Sequence, residues 1–289
     1  MTEDLDPPPL PPGRRVTLPG RGTTFIREVA GPPGAPTVIL LHGWTVTADL
    51  NWFSSYAPLA GRFRVLALDQ RGHGRGIRSW RPFRLEDCAD DVAALAQLTG
   101  TDRAIVIGYS MGGPVAQLVW RRHPELVEGL VLCATSARFV RDPGERLLFA
   151  SLMGLSVAAR LTPAVLSRQV SGSFNRRRLN GTSLGWAVAE LDRNDPAAVL
   201  QAGAAIGSYD AQAWIGSIDV PTAVVVTTED RVVDPRHQIA LAGAIPGATV
   251  HPVVGDHAVC AARPQAFVPA LVEATALVAR RASQPTVAP

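Results

Sequence analysis

The sequence predicts an α/β fold: a mostly parallel central sheet flanked by helices, with a helical segment inserted between two late strands. Three observations carry that expectation. Short apolar runs such as Thr37 to Leu41 and Leu126 to Cys133 have the near-continuous hydrophobicity of strands buried on both faces. Helical spacing lies between them, most plainly from Leu85 to Leu98, where apolar residues recur every three to four positions. Finally, Arg103 to Gly113, RAIVIGYSMGG, drives a β-branched run into a tight turn with a helix-forming segment directly behind it. With 289 residues, 47% of them hydrophobic and 18% charged, the chain can bury one large core, so one domain with an insertion is expected.

Composition excludes several classes of function. A formal charge of +3 without a dense basic stripe argues against a nucleic-acid partner. Every one of the 28 cations is arginine, so the lysine amine that Schiff-base and pyridoxal-phosphate chemistry needs is missing. Cys88, Cys133 and Cys260 make an odd count at wide spacings, which suits a reduced cytoplasm and no structural zinc. The start, MTEDLD, is acidic and lacks an apolar core, so no secretory signal is expected. Leu147 to Ala159, the longest uncharged apolar stretch, is too short to span a bilayer. A soluble, cytoplasmic protein follows as the expectation.

Taken in order, the chain opens with a proline-rich tail over residues 1–14. DPPPLPPG, Asp6 to Gly13, can neither pair inside a sheet nor continue a helix, and reads as extended and solvated. The first part of the core is expected over 15–137. Val16 to Leu18 and Thr24 to Val29 flank Pro-Gly-Arg-Gly, the signature of an antiparallel edge hairpin. Thr37 to Leu41 then runs into His42-Gly43-Trp44, a loop at the strand end where open α/β sheets bind ligands. The Trp44 N–H is expected to act as an oxyanion donor, with the His42 ring orienting the loop. Arg64 to Leu68 is the next strand, and the Asp69 to Gly74 turn after it, DQRGHG, matches no phosphate motif and reads as a structural loop. On the Leu85 to Leu98 helix, Glu86, Asp90 and Asp91 are expected to face water, and Cys88 the core.

Ser110 sits at the apex of the strand-turn-helix stretch. A serine hydroxyl becomes a useful nucleophile when a sharp turn holds it clear of the backbone, beside a base and preset oxyanion donors. Such a turn forces positive φ on the serine and brings the flanking chain so close that side chains at 108 and 112 would clash, hence Gly108 and Gly112. Gly113 lets the helix start close to the neighbouring strand, and Pro114 suits its first turn. The N–H of Met111, at the positive end of that helix, is the other expected oxyanion donor.

Beyond Cys133 the strand pattern stops, and residues 138–214 read as an all-helical cap over the strand ends. Leu147 to Ala159 carries more apolar surface than a solvated helix tolerates. Phe149 and Met153 are expected to line an acyl pocket, with ordinary packing of cap on core as the alternative. The second part of the core is expected over 215–282, followed by a flexible tail, 283–289. Its strand TAVVVT, Thr222 to Thr227, leads to Asp230, and the strand from Ala248 to Val254 leads to Gly255-Asp256-His257. A nucleophilic serine needs a base, and the base an acid behind it. Ser110, Asp230 and His257 each follow a strand on one edge of the sheet and are expected to fill those roles. Asp234, directly before Pro235 and a helical pattern, is expected to cap that helix.

Taken together, LLHGW, DQRGHG, GYSMGG, an aspartate after the strand beyond the cap, and GDH resemble the α/β-hydrolase superfamily over roughly residues 15 to 280. The likeness is greatest to its esterase, lactonase and cofactor-free haloperoxidase or perhydrolase groups, since the epoxide hydrolase and haloalkane dehalogenase branches place aspartate at the turn. Two positions depart from the pattern: Thr227 stands where glycine is usual before the acid, and GRGIRSW replaces a serine-containing loop. The resemblance implies the α/β-hydrolase fold and a serine hydrolase acting on a small ester, thioester or lactone without metal or cofactor. An acyltransferase or perhydrolase, a meta-cleavage carbon–carbon hydrolase, and a non-catalytic binding module remain open as alternatives, as do the natural substrate and the oligomeric state.

Overall fold

The structure, a computed structural model, describes residues 8–140, 143–161 and 183–284. Among them, eight strands form one sheet in the order β1-β2-β4-β3-β5-β6-β7-β8. The strands are β1 (Gly13–Leu18), β2 (Gly22–Val29), β3 (Thr37–Leu41), β4 (Arg64–Leu68), β5 (Ala104–Tyr109), β6 (Val127–Cys133), β7 (Thr222–Thr227) and β8 (Thr249–Val253). β1 pairs antiparallel with β2, and β2 with β4; every pairing from β4 to β8 is parallel. The mostly parallel sheet and its antiparallel edge hairpin are those the sequence predicts. β8 forms the other edge and carries an exposed Pro252, which an edge strand tolerates because its outer N–H groups have no ladder partner.

Alternation along each strand splits the core into two layers, because successive side chains point to opposite faces. Ile39, Leu41, Val106, Leu130 and Val224 face one layer. Helices α3 (Leu85–Leu98) and α4 (Gly112–Arg122) cover it with residues such as Leu95 and Val115. Val38, Leu40, Ile105, Ile107 and Val225 face the other. There α1 (Ala48–Trp52), α2 (Tyr56–Ala60) and the C-terminal helix contribute Trp52, Leu59, Phe267 and Leu271. Each such fully buried side chain contributes roughly 1.5–3 kcal/mol of transfer free energy, which is why the strands read as unbroken apolar runs.

Two details differ from expectation. Asp91 does not face water: it is 2% exposed, because Arg71 grips it with Nε at 2.8 Å and Nη2 at 2.7 Å while Arg21 Nε donates at 2.6 Å. The helical period could not show this, since both arginines arrive from distant loops. Within the 1–14 stretch, β1 already opens at Gly13, Leu10 packs against the second core layer, and Arg27 donates to the Pro11 carbonyl. At the other end, helix runs on to Ala282, and residues 285–289 lie outside the described ones.

Three described helices stand between β6 and β7: α5 (Pro143–Leu161), α6 (Ser183–Leu191) and α7 (Pro196–Ser208). They are moored to the loops after β3 and β4. Trp44 Nε1 donates to Val199 O at 2.7 Å, Thr47 Oγ1 to Glu190 Oε2 at 2.9 Å, and Asn194 bridges Thr45 O and Gly74 N. The remaining helices are α8 (Pro235–Ala244), α9 (Val259–Ala262) and α10 (Pro264–Ala282). No helix of the described residues is long and apolar enough to cross a membrane.

Candidate active site

β3 and β5 lie side by side, with Leu41 opposite Gly108, while β4 sits on the far side of β3. The strand order reverses here, and loops leaving the two strands diverge to open a crevice. Ser110 leaves β5 with φ of +51°, a conformation that costs a side-chain-bearing residue on the order of 1–3 kcal/mol. The surroundings hold it there: Ser110 N donates to Cys133 O at 2.9 Å, and Thr135 Oγ1 donates to Ser110 O at 2.8 Å. A Cβ at Gly108 would fall 2.2 Å from Gly112 O, and one at Gly112 would fall 2.2 Å from Leu41 O. At Gly113 it would meet the Thr135 side chain at 2.1 Å. The turn therefore closes only with glycine at these positions.

His257, in the loop after β8, places Nε2 2.9 Å from Ser110 Oγ and Nδ1 2.7 Å from Asp230 Oδ2. A carboxylate can only accept, so Nδ1 carries the proton and Nε2 offers its lone pair to the serine hydroxyl. Tyr109 OH donates to His257 O at 2.8 Å, tying the histidine loop to the base of the turn. Asp230 Oδ1 accepts the N–H groups of Val232 and Val233 at 2.8 and 2.9 Å, and Oδ2 also accepts from Thr227 Oγ1 at 2.7 Å. Burial by itself raises the Asp230 pKa, but the His257 contact, the Val233 N–H and the Thr227 hydroxyl together hold it below the ordinary carboxylate value. Asp234 lies on its own business at the start of α8, where its side chain accepts Arg236 N–H at 2.8 Å. Glu229 pairs with Arg263 at 2.9 Å.

The loop after β3 shows how a backbone donor is aimed. Gln70 N donates to His42 Nε2 at 2.9 Å, so the proton of this buried ring sits on Nδ1, which donates to Gly43 O at 2.8 Å. A trans peptide holds its C=O and N–H in opposite directions, and anchoring Gly43 O thus fixes the direction of Trp44 N–H. Asn51 Oδ1 secures the preceding peptide by accepting Gly43 N–H at 2.9 Å. Burial keeps His42 neutral by lowering its pKa to about 4. Neither Trp44 N–H nor Met111 N–H meets a backbone acceptor among the described residues. A cavity of about 690 Å³ opens against His257, lined by Glu229, Arg231, Val232, Asp256 and Ala258.

The structure thus brings Ser110, His257 and Asp230 into one hydrogen-bonded line, with the Trp44 and Met111 loops at its serine end. Phe149 and Met153 part company. The Phe149 ring centroid is 6.4 Å from that of Trp44, and its Cβ lies so close to α7 that a side chain at Gly207 would overlap it. Met153 is 40% exposed, and its sulfur meets Ser156 Oγ at 3.9 Å on its own helix. Thr227, Gln238, Asn51 and Tyr109 were not singled out as site residues from sequence. Thr227 alone gave a signal, as the departure from glycine. Among the described residues no group of three or more His, Cys, Asp or Glu side chains could hold a metal ion.

Residues 36–264 match the family described as alpha/beta hydrolase fold. The chain is 33% identical over 253 residues to the pimeloyl-[acyl-carrier protein] methyl ester esterase of Chromobacterium violaceum, covering 82% of this chain and 93% of that protein. It superposes on a hydrolase from Pseudomonas aeruginosa PA01 with a TM-score of 0.71 at 26% identity, over 90% of this chain and 97% of that one. For the enol-lactonase from Burkholderia xenovorans LB400 the TM-score is 0.70 at 25% identity, over 90% and 98%.

Proposed function

Because the chain belongs to the α/β hydrolase fold family, we propose that it is a serine hydrolase cleaving a carboxylic ester, thioester or lactone of a small, largely apolar substrate. The observation that carries the reading is the Ser110–His257–Asp230 line, with its 2.9 and 2.7 Å contacts. His257 Nε2 takes the Ser110 proton as Oγ attacks the acyl carbon, and the N–H groups of Trp44 and Met111 stabilise the resulting oxyanion. The same imidazole then returns the proton to the leaving alcohol, giving the acyl-enzyme. Asp230 keeps the His257 tautomer correct and stabilises the imidazolium. Water, activated by His257 in turn, releases the acid.

Helices α5, α6 and α7 serve as the cap, whose expected range of 138–214 also holds residues outside the described ones, and Phe149 beside Trp44 forms part of the acyl pocket. The esterase and lactonase relatives support the choice of substrate class, and the match to residues 36–264 supports the chemistry of the fold. A series of p-nitrophenyl esters of increasing acyl length, assayed on the wild type and on Ser110→Ala, tests the proposal. Hydrolysis by the wild type that Ser110→Ala removes supports it, and equal rates in both contradict it. Adding alcohol or peroxide to the same assay and analysing the products separates hydrolysis from acyl transfer and perhydrolysis. That arm is prompted by the bifunctional esterase/perhydrolase of Acinetobacter calcoaceticus, 37% identical over 95 residues that make up 32% of this chain and 34% of that protein.

A further inference from the structure

Thr227 Oγ1 lies 2.7 Å from Asp230 Oδ2, and its neighbours fix the direction of that bond. The side-chain oxygen of Gln238 accepts Thr227 N–H at 3.0 Å, so Nε2 is the donor end; it donates to Val233 O at 2.8 Å and to Thr227 Oγ1 at 2.8 Å. A threonine hydroxyl has one proton. Two acceptors lie within its reach, Asp230 Oδ2 at 2.7 Å and Gln238 Oε1 at 3.3 Å, and the shorter contact, to a charged carboxylate, takes the proton. The three side chains are buried, so no bulk water competes for the bond.

We propose that Thr227, held by Gln238, is a positioning residue that sets how strongly Asp230 Oδ2 stabilises the His257 imidazolium. The inference rests on the reading of Ser110, His257 and Asp230 given above. Oδ2 is the carboxylate oxygen that faces His257 Nδ1, and every donor to it draws off negative charge. With the hydroxyl in place, Oδ2 carries less charge with which to stabilise an imidazolium. Without it, more charge remains on Oδ2 and the imidazole keeps its second proton longer. The glycine usual at this position in the resemblance has no hydroxyl to offer.

Other groups also face the pair. Tyr109 approaches from β5, its ring centroid 5.8 Å from that of His257, and Cys260 lies on α9. Burial raises Tyr109 well above its ordinary value and pushes Cys260 up to about 12, so both stay neutral where a histidine base works. Glu229 with its partner Arg263, Arg231 and Asp256 surround the cavity beside His257. A substitution at 227 leaves all of these charges in place.

The test is the pH dependence of kcat/KM for p-nitrophenyl acetate in the wild type, Thr227→Val and Thr227→Ser, with Tm measured alongside. Thr227→Val should move the midpoint of the acid limb up by roughly half a pH unit, and Thr227→Ser should return it to the wild-type position. If the valine protein does not fold, Thr227→Ala serves in its place. A midpoint that stays put while Tm or kcat falls would mean that Thr227 is merely structural, and overturns the inference. If the wild type shows no esterase activity that Ser110→Ala removes, the proposed function fails first and this inference with it.

Discussion

His42 donates from Nδ1 to the Gly43 carbonyl at 2.8 Å, and that bond sets the direction of the Trp44 N–H. In the proposed reaction the ring stays off the substrate and aims that N–H at the oxyanion. His42→Ala should therefore lower kcat by about 100-fold, the loss typical when an oxyanion donor is removed, with KM little changed. A folded variant with wild-type kcat would show that the His42 ring does not aim that donor.

Asp230 and Asp234 have separate physical jobs. Asp230→Asn should keep the fold and cut kcat by roughly 10⁴, because an amide favours the wrong His257 tautomer. Asp234→Ala removes the acceptor of Arg236 N–H and should cost about 1 kcal/mol of stability with kcat nearly unchanged. Steady-state kinetics and urea melts on the two variants check both halves, and exchanged phenotypes would make Asp234 the acid.

Phe149 packs on Trp44, whereas Met153 is 40% exposed. Phe149→Ala should shift acyl-length preference, with kcat/KM for the best ester falling about tenfold, which corresponds to roughly 1.4 kcal/mol of lost transition-state binding. Met153→Ala should leave the profile unaltered. A changed profile in the methionine variant alone would place the pocket on the other face of α5.

Two buried imidazoles make stability sensitive to acid. Burial holds His42 at about 4 and His73 at about 3, below the ordinary 6.5, and each ring also lies near the other. The unfolded chain thus takes up protons first, and stability is lost as pH falls below 6.5 toward the folded values. His73→Phe removes one of these linked protons. Its unfolding free energy should fall by about 1 kcal/mol less than that of the wild type between pH 6 and pH 5. Asp69, which burial raises, acts in the opposite sense but is common to both proteins. Equal losses in urea melts would show that His73 is not held neutral.

Local sequence made the elements around Ser110 legible. β3, β4 and β7 span the stretches read from sequence, since strands buried on both faces show as near-continuous apolar runs. The glycines around Ser110 announced a turn that closes only without side chains. What could not be read were the contacts made by polar residues far apart in sequence. Asn51 reaches Gly43 from a helix, Gln238 reaches Thr227 and Asp230 across a loop, and Asp91 is buried by arginines from two distant loops. Periodicity reports which face of an element is apolar. It says nothing of which polar side chain on that face meets a partner, which is why Asp91 reads as facing water.

Covalent labelling identifies the nucleophile directly. A fluorophosphonate reacts when an activated serine oxygen attacks phosphorus and displaces fluoride, and the phosphonyl group remains on that oxygen. After labelling of the purified protein, proteolysis and mass spectrometry should find the added mass on the peptide holding Ser110 and nowhere else. Ser110→Ala should show none. Labelling that persists in Ser110→Ala, or a wild-type protein in which Ser110 stays unmodified while other serines react, would contradict the assignment of Ser110 as the nucleophile.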